Sequence, residues 1–175
     1  PGRHNVHNAV AAAALALAAG LSLAEVSDGL KNFSNIKGRL NIKQGIKGAT
    51  LIDDTYNANP DSMKAAIDVL AAMPAPRIFV MGDMGELGED EAAAMHAEVG
   101  AYARDKGIEA AYFVGDNSVE AAETFGAEGL WFADKDPLIQ VLSHDLPERA
   151  TVLVKGSRFM KMEEVVEALT DKEVV

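Results

Sequence analysis

The stretch Leu51-Ile52-Asp53-Asp54-Thr55-Tyr56-Asn57-Ala58-Asn59-Pro60 carries the clearest indication of the fold of this 175-residue chain. A short apolar strand leads directly into two acids, an aromatic ring, two amides and a proline, and an amphipathic run over 62–70 predicts a helix. In an open α/β sheet, ligands bind at the carboxyl ends of strands because the loops there line a crevice. Carboxylates and amides at such a place suit hydroxyl groups, amines or a magnesium ion.

Strands and helices alternate along most of the chain. Apolar runs predict strands at 40–44, 49–53, 77–81, 110–114, 130–133 and 151–154. Amphipathic runs predict helices at 63–73, 91–106, 118–125, 137–146 and 160–169. Because strict alternation of this kind implies parallel strands joined by right-handed crossovers, we expect an α/β fold with a mostly parallel sheet.

The first 35 residues follow a different pattern. Residues 8–19 are nearly all alanine, valine and leucine, which predicts a helix that ends at Gly20. Ser22 and Glu25 have the spacing of a capping box for a second helix that reaches about Phe33. Because the first helix is apolar on all sides, we expect it to be buried. We interpret the two helices as the end of a preceding domain.

Composition and charge limit the classes of function. The chain has no cysteine, which excludes disulfides, thiolate metal sites and a cysteine nucleophile and is typical of a cytoplasmic protein. The net charge of −11 argues against non-specific binding of nucleic acid. The apolar run over 9–23 is too short and too weakly apolar to span a membrane. We therefore expect neither a nucleic-acid partner nor membrane insertion.

Three of the predicted strands end in polar groups. These ends are Asp53-Asp54, Gly82-Asp83 and Lys155-Gly156-Ser157-Arg158. Turn formation explains any one of them, but parallel strands bring their carboxyl ends to the same edge of a sheet. Glycines there let the backbone approach a ligand, and the lysine and arginine supply positive charge for a phosphate or carboxylate. The sequence therefore predicts one polar site at this edge.

Two asparagines and two histidines open the first predicted helix. His4, Asn5 and Asn8 have the spacing of one helix face. The segment has no carboxylate, which argues against a metal site, and helix capping by asparagine is the plain alternative. A carboxamide also matches the donor and acceptor of an adenine edge. His96, among alanines, is predicted to be structural, and His144 to be incidental.

The combined motifs resemble a known family. Gly2-Arg3-His4-Asn5-Val6-His7-Asn8-Ala9, Gly38-Arg39-Leu40 and Asp53 to Pro60 are similar to motifs of the Mur ligases of peptidoglycan synthesis. The forms Tyr-Asn-Ala-Asn-Pro, Gly-Asp-Met-Gly-Glu-Leu-Gly and Val-Lys-Gly-Ser-Arg resemble those of members that join D-alanyl-D-alanine to the UDP-N-acetylmuramoyl-tripeptide. The resemblance extends over essentially the whole chain.

That resemblance implies a cytoplasmic, ATP-dependent ligase of cell-wall biogenesis. Residues 1–35 would be the C-terminal helical tail of a central ATPase domain. Residues 36–175 would be a C-terminal, Rossmann-like domain with helices on both faces of its sheet. The implied reaction converts the tripeptide carboxylate to an acyl phosphate at the expense of ATP, and the amine of D-alanyl-D-alanine then displaces phosphate.

The resemblance also implies roles for individual residues. Four residues would bind ATP. Asn5 and Asn8 would lie near the adenine, Arg39 would reach towards the nucleotide, and Asp54 would bind the ribose hydroxyls. Four others match loops that face the cleft and are candidates for binding D-alanyl-D-alanine: Asn57, Asn59, Lys155 and Arg158. The resemblance assigns no catalytic residue and no metal ligand within this chain.

One expected motif is absent from the sequence. The chain has no Gly-x-x-x-x-Gly-Lys-Ser/Thr loop to cradle the phosphates of ATP. It also lacks the family's central-domain magnesium ligands and its carbamylated lysine. ATP and Mg²⁺ would therefore be held mostly outside this chain, and we expect the chain alone to be an inactive fragment of the ligase.

Two other functions compete with this interpretation. A receiver-type phosphoacceptor domain also has paired aspartates after one strand, an aspartate after a later strand and a lysine after the last one, and Asp54, Asp83 and Lys155 match that pattern. The helix that contains Asn5 and the Gly38-Arg39 segment have no place in such a domain. A noncatalytic nucleotide-binding module is the second alternative.

Overall fold

The computed structural model describes residues 3–33 and 36–172. The chain divides into two compact units, Pro1–Ile36 and Lys37–Val175. The first unit contains two helices and the second contains the sheet. Among the described residues, no helix has the length and apolar character needed to cross a membrane. The assignment of the first unit to an ATPase domain stays a prediction.

The two helices of the first unit are α1 (Arg3–Ala18) and α2 (Leu23–Lys31). The predicted capping box of α2 is confirmed, since the Ser22 hydroxyl accepts the Glu25 N–H and the Glu25 carboxylate accepts the Ser22 N–H. The expectation that α1 is buried is wrong, because Val10 and Leu15 are 62% and 73% exposed. Within its unit only α2 can cover α1, and one helix cannot cover another that is apolar on all sides.

The second unit is built on a six-stranded sheet with the order β1-β2-β6-β3-β4-β5. The strands are β1 (Asn41–Gln44), β2 (Thr50–Asp54), β3 (Arg77–Gly82), β4 (Ala110–Val114), β5 (Gly129–Phe132) and β6 (Thr151–Lys155). The pair β1–β2 is antiparallel and the other pairs are parallel. The predicted mostly parallel sheet is therefore confirmed.

Helices cover both faces of this sheet. They are α3 (Pro60–Ala71), α4 (Glu89–Asp105), α5 (Ser118–Phe125), α6 (Lys135–Asp145) and α7 (Glu163–Leu169). Because side chains alternate along a strand, Phe79 and Met81 join one core with α3, α4 and α5, while Ile78 and Val80 join a second core with α6 and α7. The predicted α/β fold with helices on both faces is confirmed.

The last strand, β6, lies inside the sheet between β2 and β3. The parallel register aligns Asp54 of β2 with Lys155 of β6, and Lys155 with Met81 of β3. The carboxyl ends of three strands are therefore neighbours at one edge. The receiver-type alternative is wrong on this topology. Receiver domains have the strand order 2-1-3-4-5, in which the last strand lies at the edge of the sheet, whereas β6 lies inside it.

Candidate functional site

An ion pair stands at the carboxyl ends of β2 and β6. Lys155 Nζ lies 2.6 Å from Asp54 Oδ2 and also donates to the carbonyl oxygen of Asn57 at 2.8 Å. The side chains of the lysine and the aspartate are only 3% and 12% exposed. The predicted meeting of polar strand ends is confirmed here, and the pair fixes the start of the 55–59 loop.

Two charged side chains, Asp54 and Arg39, act on Lys155. Burial lowers the pKa of Lys155, the neighbouring Asp54 carboxylate opposes that shift, and the positive charge of Arg39 adds to it. Arg39 is therefore close enough to act on the pair electrostatically. The exposed guanidinium of Arg39 can therefore pair with an anionic ligand such as a phosphate or carboxylate.

Arg39 is presented by a tightly held turn. Gly38 and Leu40, on either side of it, have φ angles of 75° and 49°. The Leu40 N–H donates to Asp54 Oδ1 at 3.2 Å, and the Tyr56 N–H donates to the Gly38 carbonyl oxygen at 2.9 Å. The guanidinium of Arg39 lies 4.5 Å from the centre of the Tyr56 ring. Because both side chains are exposed, this stacked pair is open to a ligand.

Two of the predicted substrate-binding residues also shape the loop before α3. Asn59 caps the helix, since its Oδ1 accepts the Ser62 N–H at 2.8 Å and the Ser62 hydroxyl accepts the Asn59 N–H at 3.0 Å. Asn57 Oδ1 accepts the N–H of Ala58 at 2.9 Å. These bonds use the oxygens of both side chains and not their NH₂ groups. Their roles in substrate binding stay predictions.

Ser157 connects the loops that follow three strands. Its backbone N–H donates to the carbonyl oxygen of Asp83 at 3.0 Å, and its hydroxyl oxygen accepts the Gly85 N–H at 2.7 Å. The same hydroxyl donates to the carbonyl oxygen of Ala58 at 3.3 Å. No role for Ser157 was predicted from the sequence, although its position after Lys155-Gly156 at a strand end was the available signal.

Arg158 and Asp83 differ in what they offer a ligand. The side chain of Arg158 is 65% exposed and its Nη1 lies 2.8 Å from Glu163 Oε1, so its charge is partly paired. Asp83 is buried, and its carboxylate accepts the Ser118 hydroxyl at 2.6 Å and the Asn117 N–H at 3.1 Å. Asp83 therefore anchors the start of α5, which gives a second reason against a phosphoacceptor role.

Magnesium does not fit the residues that the structure describes. Asp54 is paired with Lys155, and the buried Asp53 lies 2.8 Å from Lys43 Nζ and accepts the Thr55 hydroxyl at 2.7 Å. Within the described ranges, no group of three histidine, aspartate or glutamate side chains could hold a metal ion. The described residues therefore offer no Mg²⁺ site of their own.

The two predicted adenine ligands lie in α1, in the first unit. Asn8 is exposed within the helix rather than at its start, because α1 begins at Arg3, earlier than predicted. Capping of the helix by Asn8 is thereby excluded. The side chain of Asn5 lies outside the described part of the structure. Adenine binding by these two residues stays a prediction.

Comparisons with known proteins found a matching family model and similar curated proteins. The family model "Mur ligase, glutamate ligase domain" matches residues 38–158. The UDP-N-acetylmuramoyl-tripeptide–D-alanyl-D-alanine ligase of Escherichia coli is 47% identical over 173 residues, which are 98% of this chain and 38% of that protein. The chain thus spans well under half of the length of this curated relative.

Solved structures show the same similarity. MurF from Acinetobacter baumannii superposes with a TM-score of 0.84 at 39% identity and covers 95% of this chain and 37% of its own. The fold is also that of MurF from Thermotoga maritima, solved in complex with ADP, with a TM-score of 0.81 at 24% identity over 96% of this chain and 38% of that one. Because the family model matches well over half of its residues, this chain belongs to the Mur ligase family.

Proposed function

We propose that this chain is the C-terminal part of an ATP-dependent ligase that joins D-alanyl-D-alanine to the UDP-N-acetylmuramoyl-tripeptide, in the cytoplasm, during peptidoglycan synthesis. The E. coli relative that matches 98% of the chain has this activity in its name. The structural observation that carries the proposal is the Asp54–Lys155 pair with Arg39 beside it, at the edge of the sheet where ligands of open α/β sheets bind.

The residues at this edge fit one side of a nucleotide. Arg39 offers an exposed guanidinium to a phosphate, and the Tyr56 ring beneath it offers a flat apolar face. The side chain of Asp54 is 12% exposed, and a carboxylate is a suitable acceptor for a ribose hydroxyl. The MurF of T. maritima was solved with ADP, which supports ATP as the nucleotide.

The same edge also offers groups for the amine donor. D-Alanyl-D-alanine carries a carboxylate, and the exposed Arg158 guanidinium is a suitable partner for it. The NH₂ groups of Asn57 and Asn59 are further donors. Lys155 is buried, so its contribution is to hold the Asn57 carbonyl and thereby the loop that presents these amides.

In the proposed reaction, the chain supplies binding and orientation rather than a nucleophile. When bound, ATP supplies the phosphoryl group that activates the tripeptide carboxylate as an acyl phosphate. Arg39 stabilises negative charge near the nucleotide, and the 55–59 loop holds the amine close to the activated carbon. Closing this edge over the reactants keeps water away from an intermediate that hydrolyses easily.

A chimera tests the proposal. The 173 matched residues of the E. coli ligase are replaced by this chain, and formation of UDP-N-acetylmuramoyl-pentapeptide from the tripeptide, ATP and D-alanyl-D-alanine is followed by mass spectrometry. The unmodified E. coli enzyme is the control, and we expect the chimera to form the same product. A folded chimera that binds ATP without forming product would refute the proposal in favour of a noncatalytic nucleotide-binding module.

A further inference from the structure

His96 of α4 is completely buried and makes two hydrogen bonds to the backbone. Its Nδ1 lies 2.7 Å from the carbonyl oxygen of Ala92, and its Nε2 lies 2.9 Å from the backbone nitrogen of Met84. A carbonyl oxygen can only accept and a backbone N–H can only donate. The neutral ring with its proton on Nδ1 is therefore the form that satisfies both partners.

The Met84 amide belongs to the 83–88 loop, which joins β3 to α4 at the carboxyl edge of the sheet. This loop is held from two sides. On one side, the Gly85 N–H donates to the Ser157 hydroxyl, which also contacts the 55–59 loop through Ala58. On the other side, His96 accepts the Met84 N–H. The conformation of the loop thus depends on an acceptor supplied by the imidazole.

We propose that His96 positions the 83–88 loop through an unprotonated Nε2, and that a second proton on the ring releases the Met84 amide and loosens the loop. This inference goes beyond the proposed ligase function, because it concerns the loop itself, whatever ligand the edge binds. It makes His96 a positioning residue, since the ring acts through the loop.

Protonation would place two donors against each other. An Nε2–H would face the Met84 N–H across 2.9 Å. The nearby acceptor is Asp83 Oδ1, but it lies 3.7 Å from Nε2, beyond hydrogen-bonding distance. Asp83 cannot easily approach, because Ser118 and Asn117 bond both of its oxygens. The loop backbone is therefore the part that moves.

The charged groups around α4 identify Asp83 as the one that faces the ring. It comes from the end of β3, and its Oδ1 lies 3.7 Å from His96 Nε2. Across the contact with α3, the charges form the pairs Lys64–Glu98 and Asp68–Lys106, whose side chains remain partly exposed to solvent. The side chain of α5 that bonds Asp83 is Ser118, whose hydroxyl does not titrate near neutral pH.

Nuclear magnetic resonance of the 175-residue chain measures both parts of the proposal. The ¹⁵N shifts of the His96 ring report which nitrogen carries the proton, and hydrogen exchange reports the protection of the Met84 amide. We expect an Nδ1–H ring at neutral pH. We also expect protection of Met84 to fall roughly tenfold beyond the intrinsic pH trend once the ring takes up a second proton.

The variant His96→Gln separates positioning from a general structural role. Its amide oxygen can replace Nε2 as acceptor without titrating, so protection of Met84 should become independent of ring protonation. His144→Gln is the matched control, because His144 is exposed and its ring pairs with Asp145 instead. An Nε2–H ring at neutral pH, or the same pH profile in wild type and His96→Gln, would overturn the proposal. The wild-type ring measurement decides it alone if His96→Gln does not fold.

Discussion

Asp54 and Lys155 form the last register pair of two adjacent parallel strands, and their side chains meet at 2.6 Å although 101 positions separate them in the sequence. The pair holds two further segments. Asp54 accepts the Leu40 N–H that shapes the turn around Arg39, and Lys155 holds the carbonyl oxygen of Asn57. One buried ion pair thus sets the positions of the exposed groups on both sides of it.

Removing the lysine should destabilise the fold strongly. Lys155→Met leaves the Asp54 carboxylate nearly buried and without its cation, which we expect to lower the free energy of unfolding by about 3 to 5 kcal/mol. Urea unfolding followed by circular dichroism measures this value. The double variant Asp54→Asn/Lys155→Met removes both charges, and should be more stable than Lys155→Met alone. Asp54→Asn alone completes the comparison. If the stability losses of Asp54→Asn and Lys155→Met add up to the loss of the double variant, the two side chains are not coupled and the ion pair is not the stabilising unit.

Gly115 should tolerate no side chain. It has a φ of 116°, and an added Cβ would lie 2.5 Å from the Asp83 carboxylate carbon. We expect Gly115→Ala to cost more than about 3 kcal/mol, since strain and a clash add. Gly107→Ala is the matched control, because Gly107 has a φ of 73° with nothing within 4 Å of the added Cβ, and should cost about 1 to 2 kcal/mol. Equal losses measured by thermal unfolding would contradict the importance of the Asp83 contact.

Glu109 should contribute to the pH dependence of stability. The hydrogen bonds from Arg77 hold the pKa of Glu109 below its ordinary value of 4.5. A lowered folded-state pKa means that this stabilisation is complete above the unfolded value and is lost as pH falls through the folded value. Because Glu109 is 41% exposed, we expect a contribution of about 1 kcal/mol or less.

The variant Glu109→Gln isolates that contribution. Its stability deficit, measured by urea unfolding, should be largest at neutral pH and disappear once the pH has fallen through the lowered folded-state pKa. Glu148→Gln makes the same change at an exposed glutamate outside the Arg77 network and serves as the control. A deficit that does not change with pH would show that the carboxylate charge is not responsible.

The purified chain should not hydrolyse ATP. Its sequence has no Gly-x-x-x-x-Gly-Lys-Ser/Thr loop, so the phosphates would lack the cradle that positions them for attack. A coupled phosphate-release assay, with and without D-alanyl-D-alanine, should stay at the level of the buffer blank. Turnover that scales with protein concentration would contradict our account of where the phosphates bind.

Much of the fold could be predicted from local pattern. Alternating apolar runs indicated the strands, and the Ser22–Glu25 spacing indicated the cap of α2. The position of β6 inside the sheet could not be predicted, because it depends on which strands pair over long range and not on local residues. The start of α3 was placed too late, although Asn59-Pro60 followed by Ser62 is a capping signal that was present.

The candidate site was only partly predictable, for a related reason. Asp54 and Lys155 could be placed at one edge because each ends a strand. That they bind each other, and that Arg39 stacks on Tyr56, depends on side-chain geometry that no spacing in the sequence expresses. Asp83 is bonded by Asn117 and Ser118 at the start of α5. The residues at the end of β3 do not indicate these partners, because they come from a later element.

The most direct test of the central claim, that this edge of the sheet serves the nucleotide, is kcat/KM for ATP in the ligase chimera carrying Arg39→Ala. Arg39 is exposed, so the variant should fold with an unchanged melting temperature, and the loss of a charge-assisted contact should lower kcat/KM by about 10- to 100-fold. The control is Arg149→Ala, at an exposed arginine just before the start of β6 and so at the other edge of the sheet. This variant should leave kcat/KM for ATP unchanged. Equal kcat/KM values for both variants and the parent chimera would contradict the account.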